Sequence, residues 1–168
     1  MIAIVNSSPL IYLGKLGLLH LLEAFFDRVA TVLSVRDEVL EVAAPEYPVL
    51  VEAFSTWLDV VDEPKTSLSE KLGKMGLHQG EIDVLSLAYK MKGNKKDNLI
   101  VIDDLAARDI ARALGLRLTG TIGIILRATK NGALTKKDAI LKIDHLVNET
   151  PFRLSTSIYS RIISDLDE

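Results

Sequence analysis

Leu99-Ile100-Val101-Ile102-Asp103-Asp104 is a run of four apolar residues that ends in two carboxylates. An uninterrupted apolar run of this length is typical of a strand that is buried on both faces of a parallel sheet. The segment after it, 105–114, has the pattern of a helix and stops at Gly115, a residue type that commonly ends helices. The stretch therefore predicts a buried parallel strand, an acidic turn and a helix.

The same order of strand, polar turn and helix opens the chain. The short β-branched run Ile2-Ala3-Ile4-Val5 leads into Asn6-Ser7-Ser8-Pro9. Here Ser8 can cap a helix whose first turn contains Pro9. The leucine-rich segment 10–26, which is broken by glycines, predicts two short helices.

Strands and helices alternate along the rest of the chain. Ser34 can cap a helix that contains Glu38 and runs to about residue 42. An amphipathic helix should begin at Glu81, directly after Gly80. The other predicted elements are strands at 29–33, 58–61 and 117–119, a turn at Asp62-Glu63-Pro64, and helices at 49–58, 68–75, 122–128, 135–147 and 155–166. This alternation predicts an α/β fold built on a parallel sheet with right-handed crossover connections.

Composition limits what kind of protein this can be. A length of 168 residues is close to that of one domain, and the core should be aliphatic because aromatic residues make up only 5%. The net charge of -3 gives no general attraction to nucleic acid, so a phosphate-bearing partner would need a local arrangement to hold it. The sequence has no cysteine, which excludes disulfides, thiolate zinc sites and cysteine nucleophiles.

No segment of the sequence has the character of a targeting or membrane-spanning element. The apolar run at residues 1–5 is too short for a signal peptide and has no basic flank. No stretch approaches the roughly 18 apolar residues of a membrane helix. We therefore expect a cytoplasmic protein with no membrane partner.

Oxygen-bearing side chains lie at the predicted strand ends and helix starts. Asn6, Asp103 and Asp104 follow predicted strands, whereas Glu38 and Glu81 would come in from helices. In open parallel sheets, ligands bind beyond the carboxyl ends of the strands. Three or four hard oxygen ligands suit Mg²⁺ or Mn²⁺, which keep several waters and also bind phosphate oxygens. These residues therefore predict a divalent-metal site for the hydrolysis of a phosphodiester.

Each of these residues also has a purely structural interpretation. Asn6 can be a turn residue whose side chain bonds the following amides. Glu38 can be a solvated helix residue, and Glu81 is favourable at a helix start through the helix dipole alone. The joint placement of the set, rather than any single residue, favours the metal site.

Neighbouring charged residues compete for the same roles. Asp83 lies about 200° around the helix from Glu81, so at most one of the two faces a shared site, and we favour Glu81. Asp103 and Asp104 point in different directions, so that one can be a ligand while the other caps the next helix. Asp104 also has i,i+4 spacing to Arg108, the geometry of an ordinary ion pair.

Five motifs together resemble a known family. They are Val5-Asn6-Ser7-Ser8-Pro9-Leu10-Ile11, Ser34-Val35-Arg36-Asp37-Glu38-Val39, Gly80-Glu81-Ile82-Asp83, Ile102-Asp103-Asp104 with Ala107-Arg108, and Leu114-Gly115-Leu116 leading to Gly120-Thr121-Ile122-Gly123. In this order they resemble the PIN-domain superfamily, and most closely its VapC-like toxin branch, over nearly the whole chain. The resemblance implies a three-layer α/β/α sandwich around a parallel sheet. We expect a single PIN-like domain over 1–168, with a helical extension at about 133–168.

The resemblance also implies a function. It is that of an endoribonuclease that depends on Mg²⁺ or Mn²⁺ and acts as the toxin of a toxin–antitoxin pair. The family's acidic ligands fall on Asn6, Glu38, Glu81 and Asp104, with Asp103 beside the last. Asn6 departs from the pattern, because an amide oxygen can coordinate a hard cation but brings no negative charge. We expect Glu38, Glu81 and Asp104 to be catalytic and all five residues to bind the metal.

Two functions are therefore open. In the first, the site cleaves RNA: a water that gives up its proton to a neighbouring carboxylate attacks the phosphorus in line. In the second, the chain is a catalytically weakened module that binds RNA or a protein partner without cleavage, and Asn6 favours this alternative. The apolar helices at 10–26 and 122–128 also predict a homodimer or a groove for an antitoxin segment.

Overall fold

A parallel sheet organises the first part of the chain. The computed structural model describes residues 1–62 and 65–167. The strands of the sheet are β1 (Ile2–Val5), β2 (Arg28–Val32), β3 (Leu58–Val61), β4 (Asn98–Val101) and β5 (Leu118–Thr119). They are ordered β3-β2-β1-β4-β5, and every neighbouring pair is parallel. Strand β1 is therefore central, with β2 and β4 on its two sides.

Helices connect the strands. In the first compact unit of the chain, Met1–Thr121, they are α1 (Ser7–Lys15), α2 (His20–Phe25), α3 (Leu33–Val39), α4 (Tyr47–Thr56), α5 (Ser67–Gly73), α6 (Gln79–Gly93) and α7 (Leu105–Ala113). Because the strands are parallel, each connection leads from the carboxyl ends of the strands back to the amino ends, where the next strand begins. The carboxyl ends of the strands therefore meet at one edge, and α1, α3 and α7 begin there.

Strand β4 is buried as its apolar sequence predicts. Ile100, Val101 and Ile102 are fully buried, and so are Ile4 and Val5 of the neighbouring β1. Burying an aliphatic side chain of this size contributes about 1.5–3 kcal/mol. The packed centre of the sheet thus fixes the strand ends from which the polar residues project. The predicted three-layer α/β/α fold around a parallel sheet is confirmed.

The leucine-rich segment 10–26 also lies in the core of this unit. The two short helices predicted there are confirmed as α1 and α2. The following leucines are each at most 5% exposed: Leu10, Leu13, Leu16, Leu18, Leu19, Leu21 and Leu22. Their apolar surface is therefore used within the chain, so these leucines do not themselves support a partner. The homodimer stays a prediction.

The second compact unit, Ile122–Glu168, is helical. Its helices are α8 (Thr121–Lys130), which begins one residue before the unit, α9 (Lys136–Glu149) and α10 (Thr156–Asp167). The Tyr159 hydroxyl donates a hydrogen bond to Asp144, which joins α10 to α9. The helices predicted in this part are confirmed, whereas the assignment of residues 133–168 as an extension of a single domain stays a prediction. No helix in the described ranges is long and apolar enough to cross a membrane.

Two predicted helix caps are wrong, because each helix begins sooner after its strand than expected. Helix α1 has Asn6, rather than Ser8, in the N-cap position. Helix α3 has Val32 in that position, so Ser34 lies inside the helix. Other helices and strands lie within a few residues of their predicted bounds. The turn predicted at Asp62-Glu63-Pro64 lies partly outside the described residues.

Candidate metal centre

Asn6 is buried directly after strand β1. It is 3% exposed, and its side chain does not make the hydrogen bond of a helix cap. Its Oδ1 atom has no hydrogen-bond partner among the described residues. Buried polar atoms are nearly always paired, and leaving one unpaired costs about 1–3 kcal/mol. The interpretation of Asn6 as a turn residue bonded to the following amides is therefore wrong, and its Oδ1 atom is open to a ligand.

Glu38 borders the same space as Asn6. It lies on α3, and the Ser7 hydroxyl donates a hydrogen bond of 2.6 Å to its Oε2 atom. A methyl group added at Gly80 would lie 3.4 Å from this Oε2 atom and 3.6 Å from Oδ1 of Asn6. Both oxygens therefore face one small space, which stays open because residue 80 has no side chain.

Glu81, in the first turn of α6, is a buried carboxylate with acidic neighbours. It is 9% exposed, and its Oε2 atom accepts a hydrogen bond of 3.0 Å from the His78 amide. Burial raises the pKa of Glu81; the His78 bond opposes this, while the negative charges of Asp104 and Glu38 raise it further. A nearby cation would offset the repulsion from these two carboxylates. The fold thus places Glu81 where a divalent ion would stabilise its charged form.

Asp104 follows strand β4 and is the N-cap residue of α7. Its Oδ1 atom accepts a hydrogen bond of 2.8 Å from the Ala107 amide. The side chain is exposed, and among the acidic neighbours of Glu81 its charge has the largest effect. Asp104 therefore combines the capping role expected for one of the two aspartates with a position near Glu81.

Asp103 has both carboxylate oxygens occupied by Thr121. The Thr121 amide donates to Oδ1 and the Thr121 hydroxyl donates to Oδ2, each at 2.7 Å. Burial raises the pKa of Asp103, whereas these two bonds and the charge of Arg108 lower it. Arg108 itself donates a bond of 2.8 Å to the Ile102 carbonyl. Asp103 thus has contacts separate from those of the other four predicted ligands, and its role as a ligand stays a prediction.

Asp83 joins two of the helices that carry the site. The Ser34 hydroxyl on α3 donates to its Oδ2 atom at 2.6 Å, and Nε2 of Gln79 donates to its Oδ1 atom at 2.7 Å. The first of these bonds holds α3 to α6 and so helps to fix Glu38 relative to Glu81. Glu81, which the helical spacing favours over Asp83, is the residue whose charge interacts with Glu38.

Two residues that shape this site were not predicted to belong to it. Ser7 is 5% exposed and orients the Glu38 carboxylate, and Gly80 leaves room beside it. Each lies in a motif that resembles the PIN-domain superfamily and is adjacent to a predicted ligand, Asn6 or Glu81, but neither signal gives it a role. The contacts themselves depend on where α3 packs, which no local pattern records.

The oxygen donors at this edge of the sheet fit a hard divalent cation. Mg²⁺ usually binds a protein through one or two carboxylates and keeps several waters. Within residues 1–62 and 65–167, no three acidic or histidine side chains are close enough together to hold a metal ion by themselves. A site formed here would therefore use the amide oxygen of Asn6 and water in addition to Glu38 and Glu81.

Comparison with known proteins agrees with this architecture. A family model described as a PIN domain matches residues 2–168. Among curated proteins, none matches the chain. PIN domains are typically nucleases and generally use divalent metals, which is consistent with oxygen donors at the carboxyl edge of a parallel sheet. The match covers nearly the whole length, and the chain therefore belongs to the PIN domain family DUF3368.

Proposed function

We propose that the protein is an endoribonuclease that depends on Mg²⁺ or Mn²⁺ and hydrolyses RNA phosphodiesters. The observation that carries the proposal is the buried Oδ1 atom of Asn6, which has no partner in the described part of the chain and shares a small space with Glu38 close to Glu81. An unpaired oxygen and carboxylates that repel one another would both be stabilised by a cation in the same place. Membership of the PIN domain family supports this reaction class.

Asn6, Glu38 and Glu81 are the residues that would hold the ion. When bound, the ion supplies a positive charge that stabilises the charge developing on the phosphate. The Ser7 hydroxyl orients Glu38, and the His78 amide orients Glu81. These bonds fix the carboxylates before substrate arrives, so that little reorganisation is needed during the reaction.

Asp104 is suited to proton transfer because it is exposed and anchored at one oxygen. The Ala107 amide holds its Oδ1 atom. We assign to its Oδ2 atom the acceptance of the proton from the attacking water. The charge of Asp104 also acts on Glu81, which supports a place for both in one active site.

The biological role that we propose is that of the toxin in a toxin–antitoxin pair. It is supported by the resemblance of the five sequence motifs to VapC-like toxins. RNA is then the substrate, and an antitoxin is the protein partner that would keep the activity in check.

A second function is favoured by Asn6 and by the small number of clustered carboxylates. An amide at the first ligand position lowers the charge of the site, and metal affinity depends on that charge. The alternative is a catalytically weakened module that binds RNA or a protein partner without cleavage.

Incubation of the purified protein with single-stranded RNA distinguishes these functions. We expect cleavage with Mn²⁺ or Mg²⁺ and none with EDTA. Glu81→Gln should slow cleavage about 100-fold or more, because it removes a ligand charge. Glu70→Gln, the same change in the first turn of α5, should have no effect. Absence of cleavage with both ions, or unchanged cleavage by Glu81→Gln, would refute the nuclease assignment of this site, and RNA binding without cleavage would favour the binding module.

A further inference from the structure

A pocket of about 240 Å³ lies between α1, α2 and α4. It is lined by small residues, Gly14, Gly17 and Ala53, and by Trp57 at the end of α4. Helix α1 begins at the candidate metal centre and ends at this pocket, and the helical rise from Asn6 to Gly14 is about 12 Å. The pocket is therefore distinct from the candidate metal centre.

The pocket combines an aromatic ring with two carboxylates. Glu23 of α2 and Glu52 of α4 line it together with Trp57. Both glutamates are exposed, and the ion pairs seen in the described part of the chain include neither of them. The face of an indole ring attracts cations, and carboxylates form strong charge-assisted hydrogen bonds with them. The lining is therefore matched to a positively charged group.

One wall of the pocket comes from an acidic stretch of the sequence. From Asp37 to Glu63 this stretch contains eight acidic residues and no lysine or arginine, although Glu46 pairs with Lys15 and Asp59 pairs with Arg28. Helix α4 lies in this stretch, and its pocket-lining Val49 is 42% exposed. The exposed carboxylates of the pocket, Glu23 and Glu52, repel the phosphates of RNA and attract a basic segment that also has apolar residues. The charge and the exposed valine together favour a protein partner.

We propose that this pocket binds the guanidinium group of an arginine on a partner protein. A guanidinium is planar and stacks on an aromatic face such as that of Trp57. Its several N–H donors can reach Glu23 and Glu52 at the same time, and it is more weakly hydrated than an ammonium group. An apolar residue that flanks the arginine would contact Val49. Binding here does not depend on whether the chain cleaves RNA.

Fluorescence of Trp57 provides a direct measurement, because it is the sole tryptophan of the chain and lines the pocket. The probe is N-acetyl-arginine amide, and the control ligand is N-acetyl-citrulline amide, which has nearly the same shape without the charge. The full chain is titrated with each ligand at pH 8. We expect a saturable change with the arginine probe and none with the citrulline control.

Variants of the two carboxylates separate the pocket from the general acidity of the surface. Glu23→Gln and Glu52→Gln should each weaken binding of the arginine probe about threefold, and the double variant about tenfold. Glu41→Gln makes the same charge change within the acidic stretch but outside the pocket lining, and it should leave the affinity unchanged.

Four results would overturn the proposal. An equal response to the arginine and citrulline ligands would show that charge is not recognised. An unchanged affinity in the double variant would place binding elsewhere. A fluorescence signal that depends on the concentration of the protein alone would identify a second copy of the chain as the occupant. Tighter binding of spermidine than of the arginine probe would identify a polyamine pocket.

Discussion

Replacing Asn6 by aspartate tests whether the first position of the candidate site faces a cation. The side chain is 3% exposed and its Oδ1 atom is unpartnered among the described residues, so an aspartate there would be a buried carboxylate close to Glu38. Leaving a buried charge uncompensated costs about 3–5 kcal/mol. Since each kcal/mol shifts the melting temperature of a chain of this size by about 2–4 °C, Asn6→Asp should melt about 6–20 °C below the wild type at pH 8 without metal.

Mn²⁺ should reverse much of this loss. The new carboxylate supplies a charge that the amide lacks, so the affinity for the ion should rise about tenfold, which corresponds to about 1.4 kcal/mol. An ion present at about 100 times its dissociation constant stabilises the folded state by about 2.7 kcal/mol. Asn6→Asp should therefore gain more stability from Mn²⁺ than the wild type does, and its RNA cleavage should increase.

Asn98→Asp is the matched control for this experiment. Asn98 is also buried, at 6% exposed, but it begins strand β4 and so lies at the opposite edge of the sheet, where its Nδ2 atom donates to the Lys96 carbonyl at 3.0 Å. This variant should lose stability without regaining it in Mn²⁺. Thermal melts in EDTA and in Mn²⁺ measure both effects. If the two variants respond alike to Mn²⁺, the reasoning that places Asn6 in a cation site is wrong.

Two further predictions concern the neighbours of Asn6. Because the folded-state pKa of Glu81 is raised, its contribution to stability is full below the unfolded pKa and is lost as pH rises through the folded pKa. Between these two pKa values, the free energy of unfolding of the wild type, measured by urea denaturation in EDTA, should fall as pH rises. That of Glu81→Gln should fall less steeply, and equal slopes for the two proteins would contradict this. Gly80→Ala should lower the free energy of unfolding by about 1–2 kcal/mol, because the added methyl would lie 3.0 Å from Cγ2 of the fully buried Val35. It should also weaken stabilisation by Mn²⁺, because the same methyl approaches Oδ1 of Asn6. Gly93→Ala, at the end of the same helix, adds a methyl that meets no described residue within 4 Å, so a larger loss of stability in this control than in Gly80→Ala would refute the argument from crowding.

The fold could be predicted because much of its information is local. The run Leu99-Ile100-Val101-Ile102 has no polar alternation, which is what a strand covered on both faces requires, and the structure buries its last three residues beside β1 while Leu99 is half-buried. Alternating strands and helices then leave few ways to connect a sheet. The order of the strands was not predicted, because which parallel strands pair is decided by packing between segments far apart in sequence.

The sequence predicts the positions of the candidate site but not the contacts that its residues make. Asp103 and Asp104 are neighbours, and successive side chains at a strand end point to opposite sides. Asp103 is bonded to Thr121, 18 residues later. This contact with a later segment decides which of the two aspartates lies beside Glu81. Ser34 was expected to cap a helix but bonds a carboxylate 49 residues away, a contact that no capping pattern encodes.

The pairing of β1 with β4 has a consequence for biosynthesis. Ile2 pairs with Asn98, so one edge of β1 lacks its β4 partner until the chain has grown by 96 further residues, from position 2 to position 98. At a synthesis rate of about 5–20 residues per second, this wait lasts roughly 5–20 s. During it, Asn6 and Asp104 belong to segments that have not yet met. The candidate site therefore cannot form, and the cleavage that we propose cannot begin, until strand β4 has joined β1.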